Sequence, residues 1–154
     1  MGLDQYAYAV LPHPNNTPTS IWWHTEQGDA ERTELENKGI AVVTKIAQWR
    51  KHPNLQGWMQ NLWITKATAA GEPPLPKEDG WFAGEVVFNC QPVLVTFQDL
   101  SDLESAVNGE VLPETEGFFF GQSQPEDKLD DLAFIAKARE AIGSDMTIYY
   151  DSWW

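Results

Sequence analysis

DKLDDLAFIAKAREAIGSDMTIYY, residues 127–150, changes from one periodicity to another within a short span of chain. Leu129, Leu132, Ile135, Arg139 and Ile142 alternate with polar positions at three- and four-residue spacing, which predicts a helix from Asp127 to Ile142. Its acids lie mostly in the first turns and Lys137 and Arg139 come late, which suits the helix dipole. Gly143 ends it. Thr147-Ile148-Tyr149-Tyr150 is β-branched and aromatic, and predicts a closing strand. Helix followed by strand in this way points to an α+β fold.

The rest of the chain repeats the two patterns. Tyr6, Tyr8 and Val10 at period two predict a first strand over residues 4–11. Residues 12–20, with Pro12, Pro14 and Pro18, read as a loop, and Ile21-Trp22-Trp23-His24 as a second, short strand. Residues 25–38 are polar and read as a loop or a short exposed helix. Gly39 to Ile46 fits a strand or the start of a helix. Pro53 suits the first position of a helix, and Leu55, Trp58, Met59, Leu62 and Trp63 carry that helix to about Lys66. Glu85 to Cys90 reads as a strand extended through Val93-Leu94-Val95. Thr96 and Asp99 then form an N-terminal cap ahead of a stripe of Phe97, Leu100, Leu103 and Val107. Gly117-Phe118-Phe119-Phe120-Gly121 reads as a short buried strand. The expected architecture is α+β: a mostly antiparallel sheet with about three helices packed on it. The 154 residues form one acidic domain, with a subdomain boundary conceivable in the Pro-rich loop at 71–79.

Composition narrows the function. Hydrophobic residues make up 42% and charged residues 21%, in the range of folded proteins. The lone Cys90 excludes an intrachain disulfide framework and a cysteine-rich zinc site. No apolar run reaches the roughly 20 residues of a membrane helix, and Met1-Gly2-Leu3-Asp4 lacks the basic and apolar regions of a secretion signal. Neither a membrane nor a cofactor is expected as a partner. Ten Lys and Arg face 23 Asp and Glu, a net charge of −13. The first 70 residues are balanced, with six of each sign, so residues 71–154 carry the whole excess. Between Glu36 and Glu72 there is no acid but five Lys or Arg, together with Trp49, Trp58 and Trp63. Either the basic segment packs against the acidic one, or the acids remain an exposed face that favours basic protein partners. The net charge argues against direct binding of duplex DNA.

Three constellations can carry chemistry. Trp49-Arg50-Lys51-His52-Pro53-Asn54 places three cationic groups and an indole before a helix start, which suits an anion such as a phosphate or carboxylate. The alternative is that Arg50 and Lys51 pair with acids while Trp49 packs in the core. Tyr150-Asp151-Ser152-Trp153-Trp154 predicts a docked aromatic tail, or else a surface for self-association or for a ligand. Asp4 and Asp151, expected on central strands, can converge as paired carboxylates. His13, His24 and His52 lack metal-ligand spacing, so no metal site is expected. Neither a phosphate loop nor a nucleophile elbow is present, and Ser123 in Gly121-Gln122-Ser123-Gln124 lacks the Gly-x-Ser-x-Gly pattern. The sequence case for an enzyme is therefore poor.

Several phrases together resemble a family of small proteins encoded by tailed bacteriophages, including phages of cyanobacteria. They are Met1-Gly2-Leu3-Asp4-Gln5-Tyr6, Trp49-Arg50-Lys51-His52-Pro53-Asn54-Leu55 with Trp58, Phe88-Asn89-Cys90, Gly117-Phe118-Phe119-Phe120-Gly121 and Tyr150-Asp151-Ser152-Trp153-Trp154. The likeness spans most of the chain and departs from the family at residues 12–38 and 71–79. It implies a setting, the cytoplasm of the infected bacterial cell, rather than a reaction. It also favours one shared pocket for Trp49 to Asn54 and Tyr150 to Trp154. The leading expectation is a phage accessory protein that binds a host protein or nucleoprotein complex, for counter-defence or host takeover. The alternative is a protein that binds or processes a small anion, nucleotide or sugar phosphate, walled by Trp49, Arg50, Lys51, His52 and Asn54 with Asp4 and Asp151 opposite. A third reading is a minor virion component.

Overall fold

Small and polar residues alternate with rings in β1 (Asp4–Val10), so Gln5, Ala7 and Ala9 face one side of the strand and Tyr6 and Tyr8 the other. The computed structural model describes the backbone of residues 2–11, 26–117 and 119–154, and the side chains of all of these except 26–29. The expected loop at 12–20 and strand at 21–24, with His13, His24 and Phe118, lie outside the described residues. α1 (Glu26–Asn37) is the exposed helix of the two readings for that stretch. The Gly39–Ile46 ambiguity resolves as a strand, β2 (Val43–Arg50), that runs on through Trp49 and Arg50. Next come α2 (Pro53–Ala69), β3 (Val93–Val95), α3 (Phe97–Asn108), α4 (Asp127–Gly143) and β4 (Thr147–Trp153).

The four strands form one antiparallel sheet in the order β2-β1-β4-β3. The fold is α+β, with four helices among the described residues. On one face of the sheet Ala7, Ala9, Trp49, Val93, Val95, Ile148 and Tyr150 pack against Leu55 and Met59 of α2, Leu100 and Leu103 of α3, and Phe134, Ile135 and Ala138 of α4. This core draws on both sides of the 71–79 loop. On the opposite face Val10, Val42 and Tyr149 form a smaller cluster that Leu35 of α1 helps to cover. None of the described helices is long and apolar enough to cross a membrane.

The α3 cap matches expectation in full: Thr96 Oγ1 accepts from Asp99 N–H, and Asp99 Oδ2 accepts from Thr96 N–H at 2.8 Å. Other elements differ. Glu85 to Cys90 is not a strand. Cys90 takes a left-handed φ of 55° and gives its N–H to Ser152 C=O at 2.8 Å, so the chain hooks past the end of β4 rather than pairing along it. Around the expected strand at 117–121, Phe120 N–H instead bonds Gly117 C=O at 3.1 Å, and Phe119 is left-handed and exposed. Leu129 and Phe97, expected on buried stripes, are exposed. α4 buries the expected Ile135, packs Leu132 and Ile142 against the core, and adds Asp131, Phe134 and Ala138 to the buried face.

Candidate functional site

β2 hands over to α2 at a sharp corner. Lys51, with φ 57°, turns the chain out of the strand, His52 becomes the N-cap residue, and Pro53 opens the helix without wasting an N–H. The corner is fixed from inside. Gln5 Nε2 donates to His52 C=O at 3.0 Å, and Gln5 Oε1 accepts from His52 N–H at 2.9 Å. The same carboxamide donates to the Tyr150 hydroxyl at 2.8 Å, which donates to Gln56 Oε1 at 2.5 Å. Gln56 Nε2 in turn donates to Ser152 Oγ at 2.8 Å. The four side chains are buried and mutually satisfied, the condition under which an interior polar network rigidifies a fold. Burial pushes the Tyr150 hydroxyl well above its ordinary pKa.

The imidazole of His52, 3% exposed, joins three elements. Its Nε2 lies 2.9 Å from Asp131 Oδ2 on α4, and its Nδ1 lies 2.7 Å from Ser123 Oγ in the loop before α4. Ser123 Oγ also accepts the Asn54 N–H at 3.1 Å, supplying from another loop the capping bond that the His52 side chain does not make. Burial raises the Asp131 carboxyl above its ordinary 3.8, and the His52 hydrogen bond and charge pull it partly back. The Trp49 indole N–H adds a weaker downward pull without reaching hydrogen-bond geometry. Asp131 Oδ1 has no hydrogen-bond partner among the described residues.

Beyond the corner, Thr115 lies against the first turns of α2. Asn54 Oδ1 accepts Thr115 N–H at 3.2 Å, and the approach at Gly57 is so close that a Cβ there would sit 1.9 Å from Thr115 Oγ1. The segment that carries Thr115 also walls an open cleft of about 810 Å³. Trp81, Phe82, Val86, Val87 and Phe88 line it together with Phe119, Phe120 and Trp154. Phe120 meets the Trp154 ring edge to face at 5.1 Å. Glu85 and Glu116 are the charged residues of the lining, and both are exposed.

The residues singled out from sequence are thus divided among three places. Trp49 is 4% exposed and packs on Phe134 and Tyr150, with centroids 5.2 and 6.2 Å away, so the middle and tail segments do meet, but inside the core. Arg50 and Asp4 are cross-strand partners joined by a 2.7 Å ion pair. Asp4 and Asp151 lie diagonally on the sheet face opposite α2, α3 and α4, where Trp153 is exposed and Asp151 half-buried. Trp58 is half-buried against the core, Lys51 is exposed, and His52 and Asn54 hold the corner. Among the described residues no cluster of three or more His, Cys, Asp or Glu is placed to hold a metal ion. Sequence reasoning missed Gln5, Gln56 and Asp131, and set Ser123 aside for want of the Gly-x-Ser-x-Gly pattern. The available signal was Asp131 itself, an acid in register with Phe134, Ile135 and Ala138 on the buried face of α4. No protein-family description, curated protein or solved structure matches the chain.

Proposed function

We propose that this chain is a phage-encoded accessory protein that acts by binding a host protein or nucleoprotein complex. The cleft between residues 81–88 and 115–120 is the seat for apolar side chains of a basic segment of that partner. One observation carries the reading: a cleft walled by aromatic and aliphatic side chains has two charged residues in its lining, and both are carboxylates. Exposed Glu72, Glu78, Asp79, Glu110 and Glu114 lie on the same two connecting segments, with Lys77 the one base among them. An apolar floor with an acidic rim suits a Lys- or Arg-flanked aromatic residue, because the floor supplies affinity while the rim steers and selects. The small-anion reading has less support, since Trp49 is buried, Arg50 is neutralised by Asp4, and the imidazole of His52 is already engaged.

The test is capture from bacterial host lysate at low and high salt with the parent protein and a Glu85→Lys/Glu116→Lys variant. The expected result is a discrete partner retained at low salt, weakened by high salt and lost by the charge-reversed variant. Absence of any partner at either salt, or capture indifferent to both changes, overturns the proposal. A thermal-shift series with nucleotides supplies the counter-arm, because a bound ligand raises stability by RT ln(1 + [L]/Kd). A nucleotide-dependent shift removed by Arg50→Ala would restore the anion reading.

A further inference from the structure

The Ser123–His52–Asp131 chain has no part in that docking surface. We propose that Ser123 is a nucleophile toward small carboxylic esters, with His52 as its general base and Asp131 as the positioning residue behind the imidazole. Ser123 Oγ is 2.7 Å from His52 Nδ1, and His52 Nε2 is 2.9 Å from Asp131 Oδ2. An ionised Asp131 can only accept, so Nε2 carries the ring proton and Nδ1 turns its lone pair to the serine hydroxyl. The two ring nitrogens are used the other way round from the serine-protease triad, but the division of labour is the same.

Three features go beyond what a capping serine requires. The carboxylate and imidazole are buried, 1% and 3% exposed, whereas Ser123 is half-buried between exposed Gln122 and Gln124, so the serine is the most accessible member of the three. The Asn54 N–H reaches Ser123 Oγ from the first turn of α2, a turn without acidic residues, and there it stabilises the negative charge that grows as the hydroxyl proton leaves. Asp127, whose Oδ2 is 3.6 Å from Nδ1, is occupied by the Gln124 N–H at 2.6 Å and leaves the Nδ1 lone pair to the hydroxyl. A cap needs only the Asn54 amide; it gives no reason to bury a carboxylate behind the ring.

The reaction is acyl transfer. Ser123 Oγ bonds to the ester carbonyl carbon, its proton passes to His52 Nδ1, and the carbonyl–alkoxide bond breaks as that proton moves to the leaving oxygen. Water then attacks the acyl-serine, giving its proton through His52 to Ser123 Oγ and releasing the carboxylic acid.

A small alkyl fluorophosphonate, which phosphonylates an activated serine with loss of fluoride, tests this by intact mass and peptide mapping. The expected result is one adduct, on Ser123, in the folded protein and none in protein unfolded by urea. Ser123→Ala should show none. Asp131→Asn, which favours the opposite ring tautomer, should label about 10²–10⁴-fold more slowly, and hydrolysis of p-nitrophenyl acetate should fall in parallel. No Ser123 adduct on the folded protein, equal labelling of the unfolded chain, or an undiminished rate in a folded Asp131→Asn variant overturns the proposal. Should that variant not fold, the native-against-unfolded comparison decides alone.

Discussion

Gln5 grips the peptide of His52 from both sides, donating to its carbonyl at 3.0 Å and accepting its N–H at 2.9 Å. A side chain on a central strand thus performs the work of a sheet ladder for a residue that has already left the sheet. Gln5→Leu leaves the buried His52 N–H unmatched, although the His52 carbonyl keeps the Gln56 N–H at 3.2 Å, and it removes one partner from the Tyr150 hydroxyl. The expected cost is about 1–3 kcal/mol, read as a lower urea midpoint with an unchanged slope. A loss under about 0.5 kcal/mol would show that the corner holds itself.

Gly57 lies inside α2, where alanine ordinarily gains about 1 kcal/mol over glycine. Here the sign reverses, because a Cβ would meet Thr115 Oγ1 at 1.9 Å. Gly57→Ala should destabilise by about 1–3 kcal/mol. Adding Thr115→Gly should recover much of that loss in a double-mutant cycle, whereas strict additivity of the two changes would contradict the contact.

Asp131 sets a pH dependence of definite sign. Its folded pKa is raised above the unfolded value, so the native state holds its proton longer. The contribution of this group is fully present below about pH 4 and is lost as the pH rises through the raised folded value. Urea titrations across pH 4–7 should therefore show the parent losing stability relative to Asp131→Asn as the pH increases. Parallel profiles would mean the carboxyl titrates alike in both states.

The α3 capping box gives a graded pair. Thr96→Ala removes the bond to Asp99 N–H and should cost about 1 kcal/mol. Asp99→Ala removes the return bond to Thr96 N–H and also the Lys66 ammonium's partner, leaving that ammonium only the Leu94 carbonyl. It should cost more than Thr96→Ala; equal costs would mean that the Lys66 contact contributes nothing.

Elements were legible where local chemistry and tertiary structure agree. Tyr6, Tyr8 and Val10 mark β1, Pro53 starts α2, and Thr96 with Asp99 starts α3, each by means contained within a few residues. Legibility ended where the partner is remote. Asp131 looks like a solvent-facing acid until His52, from beyond the end of β2, comes to meet it, and so the spacing turns Leu129 inward in its place. Phe88 has the β-propensity of a strand residue, yet it is held by rings of Trp63 and Tyr150 at 5.0 and 6.2 Å rather than by a neighbouring backbone. The ester site was illegible for the same reason: its three members come from a corner, a loop and a helix with no shared motif.

Strands β1 and β4 lie side by side at the middle of the sheet, with Asp4 opposite Trp153 and Val10 opposite Thr147. During synthesis β1 must therefore wait for β4, and one edge of β1 stays unpaired until Thr147 to Trp153 have left the ribosome. Loop-closure entropy of that size slows folding. A translating ribosome stalled before residue 147 should display a protease-sensitive nascent chain, and release of the last strand should be the event that seals the sheet.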